Sequence, residues 1–519
     1  MSGHNNQMEP SAVNRGRGES GTNNAEKLQR DSSISSNNVG DSTTLVPQPS
    51  TSPDDPLNWS WLKKHAVLLS LIPGCMLSDW TLTWGTTVFQ MQAPEWNMSV
   101  EAVAQSVSPG IFMQGPGGLL SVPLCQRYGR LPVLFWSQLL SLVFTIGATF
   151  APDYASFTAM RTLQGFFGAA PQVIGMSIIH DMFFFHERAR KINIWAMSFL
   201  IGPYLGPFFS SLLLLRLEWR PDFGVLAGFY GLSLLMVVIL GDETLFDRSQ
   251  LDLVADRKQQ MAGERRPFSL ARHVFLLLGV EGFRTRAGRP TLWTVFKDQC
   301  SLLVRPYVFL PTALFVMPIT MWTIGVVSTI SQFVLPPPVA GGYGFSLVAL
   351  AMLYFAPMIG TVVAELWGHW FNDFLARRYL SRYGLESRLT AVYPAVLIGV
   401  VGLIVFGQTL EHHLSWVGLA FGWAMLCFST LANMTAISAY LLDCLPHHAA
   451  LTGAWLNFWR VIGGFSVAYF QIQWVHRNGP AVSFGCQAAV IAGAAATIVA
   501  TQIWGRRWRD KFPAPPAEN

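Results

Sequence analysis

Several ionisable residues fall inside long apolar segments of the chain, among them Asp79, Arg161 and Glu365. A charged side chain in the middle of a membrane costs at least ~2.5 kcal/mol, so such residues normally face a partner or a water-filled cavity. A carboxylate in a nonpolar site can take up and release a proton, which makes Asp79 and Glu365 candidates for a proton-binding site. We predict that these three residues carry proton coupling.

The depths of Asp79 and Arg161 in their segments predict that the two side chains meet. Asp79 lies 15 residues after Lys64, roughly 22 Å along a helix that rises ~1.5 Å per residue. In an apolar core ~30 Å thick, Asp79 is then about 8 Å from the far side. Arg161 follows Tyr154 by seven residues, which is about 10 Å from that same side. Opposite charges at matching depth should pair, so we predict an ion pair between Asp79 and Arg161, with Glu365 as the next candidate for proton binding. The alternative is a structural Arg161 that donates to backbone carbonyl groups.

The composition requires that much of this chain faces lipid. Of its 519 residues, 51% are hydrophobic and 13% are charged, whereas a soluble globular protein carries about 25% charged residues. These proportions, and the recurrence of apolar stretches of spanning length, predict an all-α membrane protein with twelve transmembrane helices in two halves of six. The stretches lie near 64–92, 101–124, 131–151, 154–180, 190–213, 223–241, 306–334, 344–370, 389–410, 414–443, 449–475 and 480–505.

Polar and basic segments divide the chain around these stretches. We predict a disordered tail at 1–58, one half at 59–241, a central loop at 242–305, the other half at 306–505 and a tail at 506–519. Lysines and arginines cluster in alternate loops, which predicts that both termini are cytoplasmic. The basic central loop either lies on the anionic inner leaflet as an amphipathic segment or is a mobile linker without specific contacts.

The same orientation places the acceptor sequence Asn97-Met98-Ser99 in the first external loop, where Asn97 is a candidate for N-glycosylation. Asn58-Trp59-Ser60 has the same pattern but is expected inside the cell. We predict a multi-pass protein of the plasma membrane that works as a monomer.

Several function classes lack their sequence signatures. The chain has neither a Gly-x-x-x-x-Gly-Lys phosphate-binding loop nor a His-Glu-x-x-His zinc motif. The six cysteines are scattered, and their spacing indicates neither a metal site nor a disulfide framework. The net charge of +5 is concentrated in particular loops and indicates topology rather than nucleic-acid binding. We therefore predict a protein that is not an enzyme and that uses no cofactor or metal.

Two glycine-containing runs stand out in the first half. The run from Gly117 to Arg130 ends an apolar segment with a tight basic turn, in which Gly129 separates Arg127 from Arg130. The later run from Gly202 to Pro207 contains two Gly-Pro pairs, Gly202-Pro203 and Gly206-Pro207. Glycine allows a sharp reversal or a close helix approach, and proline bends a helix. We assign both runs to the conformational machinery of the protein.

These runs resemble motifs of the major facilitator superfamily. The basic turn resembles the loop after the second helix of that family, although Gln126 stands where the family has an acid. The run that begins at Arg161 resembles the fourth-helix motif of proton-coupled drug transporters, and the Gly-Pro run resembles the antiporter motif. On further signatures, the chain is identified as a member of the fungal drug:proton antiporter type: Asp55-Pro56-Leu57-Asn58-Trp59, Phe185-His186-Glu187-Arg188, Asp242-Glu243-Thr244-Leu245 and Asn457-Phe458-Trp459-Arg460.

The resemblance implies a secondary transporter in which two halves rock around a central site. The expected function is proton-coupled export of a small organic compound, such as a drug, toxin or secondary metabolite. The alternatives are proton-coupled uptake of a polyamine or another cation, and a nutrient receptor that does not transport. The expected partners are the substrate, protons and the lipid bilayer. The predicted walls of the substrate cavity include Trp84, Phe166, Tyr204, Trp322, Tyr354 and Arg460.

Overall fold

A computed structural model describes residues 54–246, 270–372, 383–445 and 448–514, with isolated positions at 50, 52, 374, 375, 378 and 379. The regular secondary structure of these residues is helical. The predicted tail at 1–58 lies almost wholly outside them. The first half is built from α1 (Trp61–Thr83), α2 (Ser108–Tyr128), α3 (Arg130–Thr149), α4 (Tyr154–Gly168 continued by Ala170–Met182), α5 (Phe185–Leu200 continued by Gly202–Leu213) and α6 (Trp219–Leu240).

Three shorter helices follow in the described part of the central loop: α7 (Leu270–Leu278), α8 (Val280–Thr285) and α9 (Leu292–Leu303). The second half then repeats the length and number of the helices in the first. It consists of α10 (Pro306–Val334), α11 (Leu347–Trp367), α12 (Val392–Glu411), α13 (Trp416–Cys444), α14 (Ala449–Ile462 continued by Gly464–Asn478) and α15 (Pro480–Lys511).

Eight helices of the described chain are long and apolar enough to cross a membrane, and α5 makes a ninth when its two segments are taken together. These segments meet at an angle of 47°. α2 also has spanning length but carries several glycines and prolines, and α4 and α14 are each interrupted once. Counted with these three, the described helices are consistent with the predicted twelve.

Local sequence explains where several of these helices begin. The first N–H groups of a helix lack partners within it, and a serine or aspartate just before the helix can accept from them. Ser60 accepts from the N–H of Lys63 at the start of α1. Asp153 does the same for Ser156 at α4, with a distance of 2.7 Å. The polar breaks between the apolar stretches therefore act as start signals for the next helix.

The bundle has a basic end, defined as the end where α1 begins and α15 finishes, and an opposite end. The halves touch at the opposite end, where the Ser331 hydroxyl of α10 donates to the carbonyl oxygen of Thr86 at 2.7 Å. Nearer the middle, the rings of Phe208 on α5 and Phe355 on α11 have centroids 5.2 Å apart. The space between the halves is therefore closed at the opposite end.

The loop helices pack against the basic end and contact both halves. Arg127 donates to the carbonyl oxygen of Pro290 at 3.1 Å, and Arg289 donates to the carbonyl oxygen of Arg127 at 3.2 Å. On the other side, the indole N–H of Trp455 on α14 donates to the carbonyl oxygen of Gln299 on α9 at 2.6 Å. Residues 270–303 thus make specific contacts, so the prediction of a linker without contacts is wrong for this part of the loop. The rest of the loop, 247–269, lies outside the described residues.

Candidate functional site

Asp79 and Arg460 form an ion pair between the two halves. Asp79 lies on α1 and is 3% exposed, while Arg460 lies on α14 and is 8% exposed. The guanidinium Nη1 is 2.8 Å from Asp79 Oδ2, and Nη2 donates to Oδ1 at 3.0 Å. Two parallel bonds between an arginine and a carboxylate make a strong and directional contact. This pair therefore joins α1 to α14 in the interior of the protein.

Amide side chains complete the surroundings of this pair. Gln114 on α2 donates to Asp79 Oδ1 at 2.7 Å, and Gln172 on α4 donates to Oδ2 at 3.4 Å. Asn457, one turn before Arg460, accepts from the arginine Nε at 3.2 Å. Asp79 thus accepts hydrogen bonds from side chains on three other helices, α2, α4 and α14.

Arg161 does not contact Asp79 in this conformation, so the predicted pairing is wrong. Its Nη2 donates to the carbonyl oxygens of Thr81 and Leu82 at 3.1 and 2.8 Å. These carbonyls belong to the last turn of α1, where no later residue of the helix can donate to them, and a cation is favourable there. The predicted depth of Arg161 is consistent with this position. Depth alone, however, does not determine the side of α1 from which the Asp79 side chain projects.

Glycines allow α5 to pass close to α1 on the level of Asp79. A Cβ atom on Gly202 would lie 2.8 Å from the carbonyl oxygen of Met76. A Cβ atom on Gly206 would lie 2.6 Å from the carbonyl oxygen of Trp80. Both distances are shorter than real contacts allow, so only glycine fits at either position. The run from Gly202 to Pro207 thus holds α5 against α1 just after its 47° bend.

Two cavities between the halves meet at Arg460. The inner cavity has a volume of about 70 Å³ and includes Asp79 and Tyr204 in its walls. The outer cavity has a volume of about 420 Å³ and extends from Arg460 toward the basic end, past Glu365 and Arg388. Glu365 is therefore on the path to the ion pair, but the contacts that define the pair are those of Asp79 with Arg460, Gln114 and Gln172. The hydroxyl groups of Thr320, Thr323, Thr430 and Tyr204 make the inner walls partly polar.

Two of the six predicted cavity residues line these cavities, Tyr204 and Arg460. The hydroxyl of Tyr204 donates to Cys427 Sγ at 3.1 Å, which adds another contact between the halves. Arg460 was expected only as a wall residue and is instead half of the central ion pair.

The other four predicted wall residues do not line these two cavities in the described conformation. Trp84 stacks on Trp80 within the first half, Trp322 packs against Phe470, and Tyr354 packs against Trp423. Phe166 lines a groove on the outer surface of the first half. Aromatic content indicates that such residues are buried but does not tell packed interiors from cavity walls.

The basic turn obtains its acidic group from outside the turn. Glu243, which follows α6, accepts from the backbone N–H groups of Arg130 and Leu131 at 3.0 and 3.2 Å, at the start of α3. Gly129 has φ of +110°, and a side chain there would collide with Glu243. Burial raises the pKa of Glu243, although these backbone N–H groups act in the opposite direction. A carboxylate that follows α6 thus caps the start of α3 at this turn, while position 126 itself is Gln.

Several polar residues of the interior were missed by the sequence reasoning. Gln114, Gln172 and Asn457 are buried amides in apolar helices, and this placement was the available signal. Asp222 in the first turn of α6 is a further buried carboxylate, which accepts from the Ser210 hydroxyl at 2.9 Å. Asn97, by contrast, is exposed and lies between α1 and α2 at the opposite end.

Comparisons with known proteins give the family of this chain. The family model of the Major Facilitator Superfamily matches residues 69–468. The efflux pump radE of Floropilus chiversii is 24% identical over 439 residues, which cover 81% of this chain and 77% of that protein. Polyamine transporter 3 of Saccharomyces cerevisiae is 24% identical over 489 residues, which cover 89% and 72% of the two chains.

The fold is shared with solved transporter structures. The POT family transporter PepTSo superimposes with a TM-score of 0.59 at 14% identity, over 87% of this chain and 99% of the other. These findings confirm the predicted all-helical fold and the predicted kinship with fungal transporters, and they confirm that the chain is not an enzyme. The chain belongs to the major facilitator superfamily.

Proposed function

We propose that this protein exports a small, largely apolar organic compound in exchange for protons, with Asp79 as the proton-binding group. The observation that carries the proposal is the ion pair between Asp79 and Arg460. It crosses from one half to the other, and Arg460 lines both cavities. A contact with these properties can be broken by a proton or by a substrate, and either event then changes how the halves are held together.

The proton acts through the charge of Asp79. A neutral carboxyl group keeps weaker hydrogen bonds to a guanidinium than a carboxylate does, so protonation weakens the hold on Arg460. In the described conformation the outer cavity leads from the pair toward the basic end, which we place in the cytoplasm. A compound that enters there takes the place of Arg460 as a hydrogen-bond donor to Asp79, so that the compound and a proton exclude each other, and the halves then rock to expose the site on the other side. A proton bound by Asp79 from outside favours release of the compound, and return of the protonated protein delivers that proton to the cytoplasm.

The charges of the cavity walls bear on the class of substrate. Among the described residues, the two cavities contain two carboxylates, Asp79 and Glu365, and two arginines, Arg388 and Arg460. A polyamine carries several positive charges and would be repelled by both arginines unless acids outnumbered them. The balance favours a compound with little net charge. Polyamine uptake remains the second candidate because a yeast relative bears that name.

Transport in lipid vesicles tests this proposal. Purified protein would be reconstituted and offered a radiolabelled azole, a rhodamine dye and radiolabelled spermidine, each with an imposed pH gradient and with the gradient collapsed by an ionophore. We expect gradient-dependent movement of the azole or the dye, opposite in direction to the proton. Movement of spermidine alone would favour the polyamine function, and movement that is the same without the gradient would contradict proton coupling.

The orientation is a separate part of the proposal. We propose a monomer in the plasma membrane with both termini in the cytoplasm, which puts Asn97 outside the cell. Glycosidase treatment should then reduce the apparent mass of the wild-type protein but not of the Asn97→Gln variant. A glycosidase-sensitive band that persists in Asn97→Gln would contradict this orientation, because the other two acceptor patterns begin at Asn58, at the basic end, and at Asn433, buried within α13.

A further inference from the structure

The outer surface of the first half carries an apolar groove of about 570 Å³. It lies between α2, α3 and α4, and the turn that joins α7 to α8 closes one end of it. Its volume is within the range of sites that bind drug-sized ligands, about 300–1,000 Å³. Its walls include Leu120, Leu124, Trp136, Leu140, Phe166 and Phe283.

The position of the groove exposes it to lipid. Leu120 and Trp136 are 44% and 42% exposed, and they lie on the outside of helices that cross the membrane. Acyl chains rather than water surround such a surface in a bilayer. On the inner side, Gly117 lets α2 press against the backbone of α4, since a side chain there would collide with the carbonyl oxygen of Phe166. The groove is thus separated from the cavities at Asp79 by the α2–α4 contact.

The closed end of the groove is firmly built. Gly282 of α8 lies directly on the carbonyl group of Tyr128, where any side chain would collide. Gly279, with φ of +84°, turns the chain between α7 and α8 beside Pro132. Because glycine tolerates both the positive φ and the close approach, this turn has a fixed shape at this end of the groove, which we call the mouth.

Arginines surround this mouth. Arg284 is exposed and forms part of the groove wall. Arg286 stacks on Phe283 with its guanidinium carbon 3.6 Å from the ring centroid, and Arg289 follows three residues later. Glu281 is the one acidic residue of α8, the helix that also carries Arg284. The mouth therefore carries net positive charge at the level where a bilayer presents its headgroups.

We propose that this groove binds one anionic phospholipid, with an acyl chain along α2 and α3 and the phosphate at Arg284. A phospholipid is the ligand class that offers both features at the required spacing, since its chain enters the apolar walls while its phosphate stays at the membrane surface. An apolar transported compound would leave the arginines without an anion. A second copy of this chain is the other alternative occupant, and it would fill the groove only by inserting a protruding ridge of side chains into it.

Native mass spectrometry of the whole protein tests the proposal. The protein would be released from detergent in the presence of phosphatidylglycerol or phosphatidylcholine with identical acyl chains. We expect one retained lipid per protein and a preference for phosphatidylglycerol of roughly 5-fold, about the contribution of one arginine near an anionic lipid. Arg284→Glu should remove the preference, whereas Arg507→Glu, an equal charge change at an exposed site on α15, should keep it.

A second pair of variants tests the acyl-chain site. Leu120→Trp fills the groove and should reduce retention of both lipids, while Ile404→Trp, at a 44% exposed position on α12, should leave retention unchanged. Elution as a single species in gel filtration would show that each variant is folded. Equal preference in the wild type and Arg284→Glu, or unchanged retention in Leu120→Trp, would overturn the proposal. A wild-type dimer that Leu120→Trp abolishes would also overturn it, in favour of a second copy as the occupant.

Discussion

Arg161 and Arg460 are both buried arginines in helices that cross the membrane, but they make opposite kinds of contact. Arg161 is 2% exposed and donates to two backbone carbonyl groups at the end of α1, within its own half. Arg460 is 8% exposed and pairs with the carboxylate of Asp79 in the other half. The contact of Arg161 caps the end of α1, and the contact of Arg460 joins the two halves of the protein.

The difference lies in what a proton can do to each contact. Backbone carbonyl groups do not titrate, so acidification does not break the contact of Arg161. Asp79 can take up a proton, and its bond to Arg460 then loses the attraction between opposite charges. Under the proposed function, Arg161 therefore has a structural role in this conformation, and the pair of Asp79 and Arg460 has the coupling role.

The largest effect should follow from Asp79→Asn. The amide cannot bind a proton, so transport driven by a pH gradient should fall to the level of protein-free vesicles, while exchange of labelled for unlabelled compound continues. Glu95→Gln is the matched control, because Glu95 pairs with Arg220 at 2.6 Å at the opposite end and lies outside both cavities. If Asp79→Asn still moved compound uphill at the wild-type rate, coupling would lie elsewhere, with Glu365 as the next candidate.

The two arginines should also differ in how their loss responds to pH. Arg161→Met leaves two carbonyl groups without donors, at a cost of about 1–3 kcal/mol each, and this cost should not depend on pH. Arg460→Met leaves Asp79 without its cation, so the carboxylate must bind a proton to remain buried. The destabilisation caused by Arg460→Met should therefore be smaller at pH 5 than at pH 8.

Thermal unfolding of the detergent-purified variants between pH 5 and 8 measures this difference. The wild type at each pH is the reference. If the unfolding temperatures of Arg161→Met and Arg460→Met changed with pH in the same way, the proposed difference between the two arginine contacts would be contradicted.

Glu243 offers a contact inside one half that does titrate, and it sharpens the comparison. Its pKa is raised by burial, so its contribution to stability is full below the ordinary pKa of a glutamate and is lost as the pH rises through the higher value in the folded state. Glu243→Gln should lack this decline, so its unfolding temperature should gain on that of the wild type as the pH rises. Transport should keep its dependence on the gradient, since the contact does not join the halves. If the unfolding temperatures of the wild type and of Glu243→Gln changed with pH in parallel, the raised pKa of Glu243 would be contradicted.

The smallest effect is expected for Gln126→Asp. An acid at this place in related transporters is thought to support one transport conformation, but here Glu243 already supplies a carboxylate at the turn. The new charge should therefore shift the balance of the two conformations only modestly. Accessibility labelling of a cysteine placed in the outer cavity would measure this shift. An unchanged labelling rate would mean that Gln126 is only a polar residue of the turn.

The fold could be predicted from the sequence because many separate segments of the chain indicate the same architecture. Apolar stretches, basic loops and the Gly-Pro run all point to the same two-halved bundle, and an error in one boundary does not change the answer. Asp79 was also found from the sequence, since a carboxylate in an apolar helix is unusual. The 47° bend of α5 agrees with the Gly-Pro pairs that suggested it.

The partner of Asp79 could not be found in this way. Arg161 and Arg460 both lie at suitable depths, and the choice between them depends on the rotation of α1 and on a neighbour 381 residues away. The contact of Glu243 with the basic turn could not be predicted for the same reason, because it joins two segments that are far apart in the chain. The contacts of Trp84 and Tyr354 with aromatic neighbours could not be predicted either, because packed interiors and cavity walls use the same residue types.

Distance measurements between spin labels test the central claim most directly, and they need no substrate. Labels at positions 61 and 507, exposed at the basic ends of the two halves, would be attached after replacement of the native cysteines. If the pair of Asp79 and Arg460 is the contact through which protons act on the two halves, the wild-type distance distribution should change with pH between 5 and 8. Asp79→Asn should then show the acidic distribution at every pH. A pH response in Asp79→Asn equal to that of the wild type would contradict the claim.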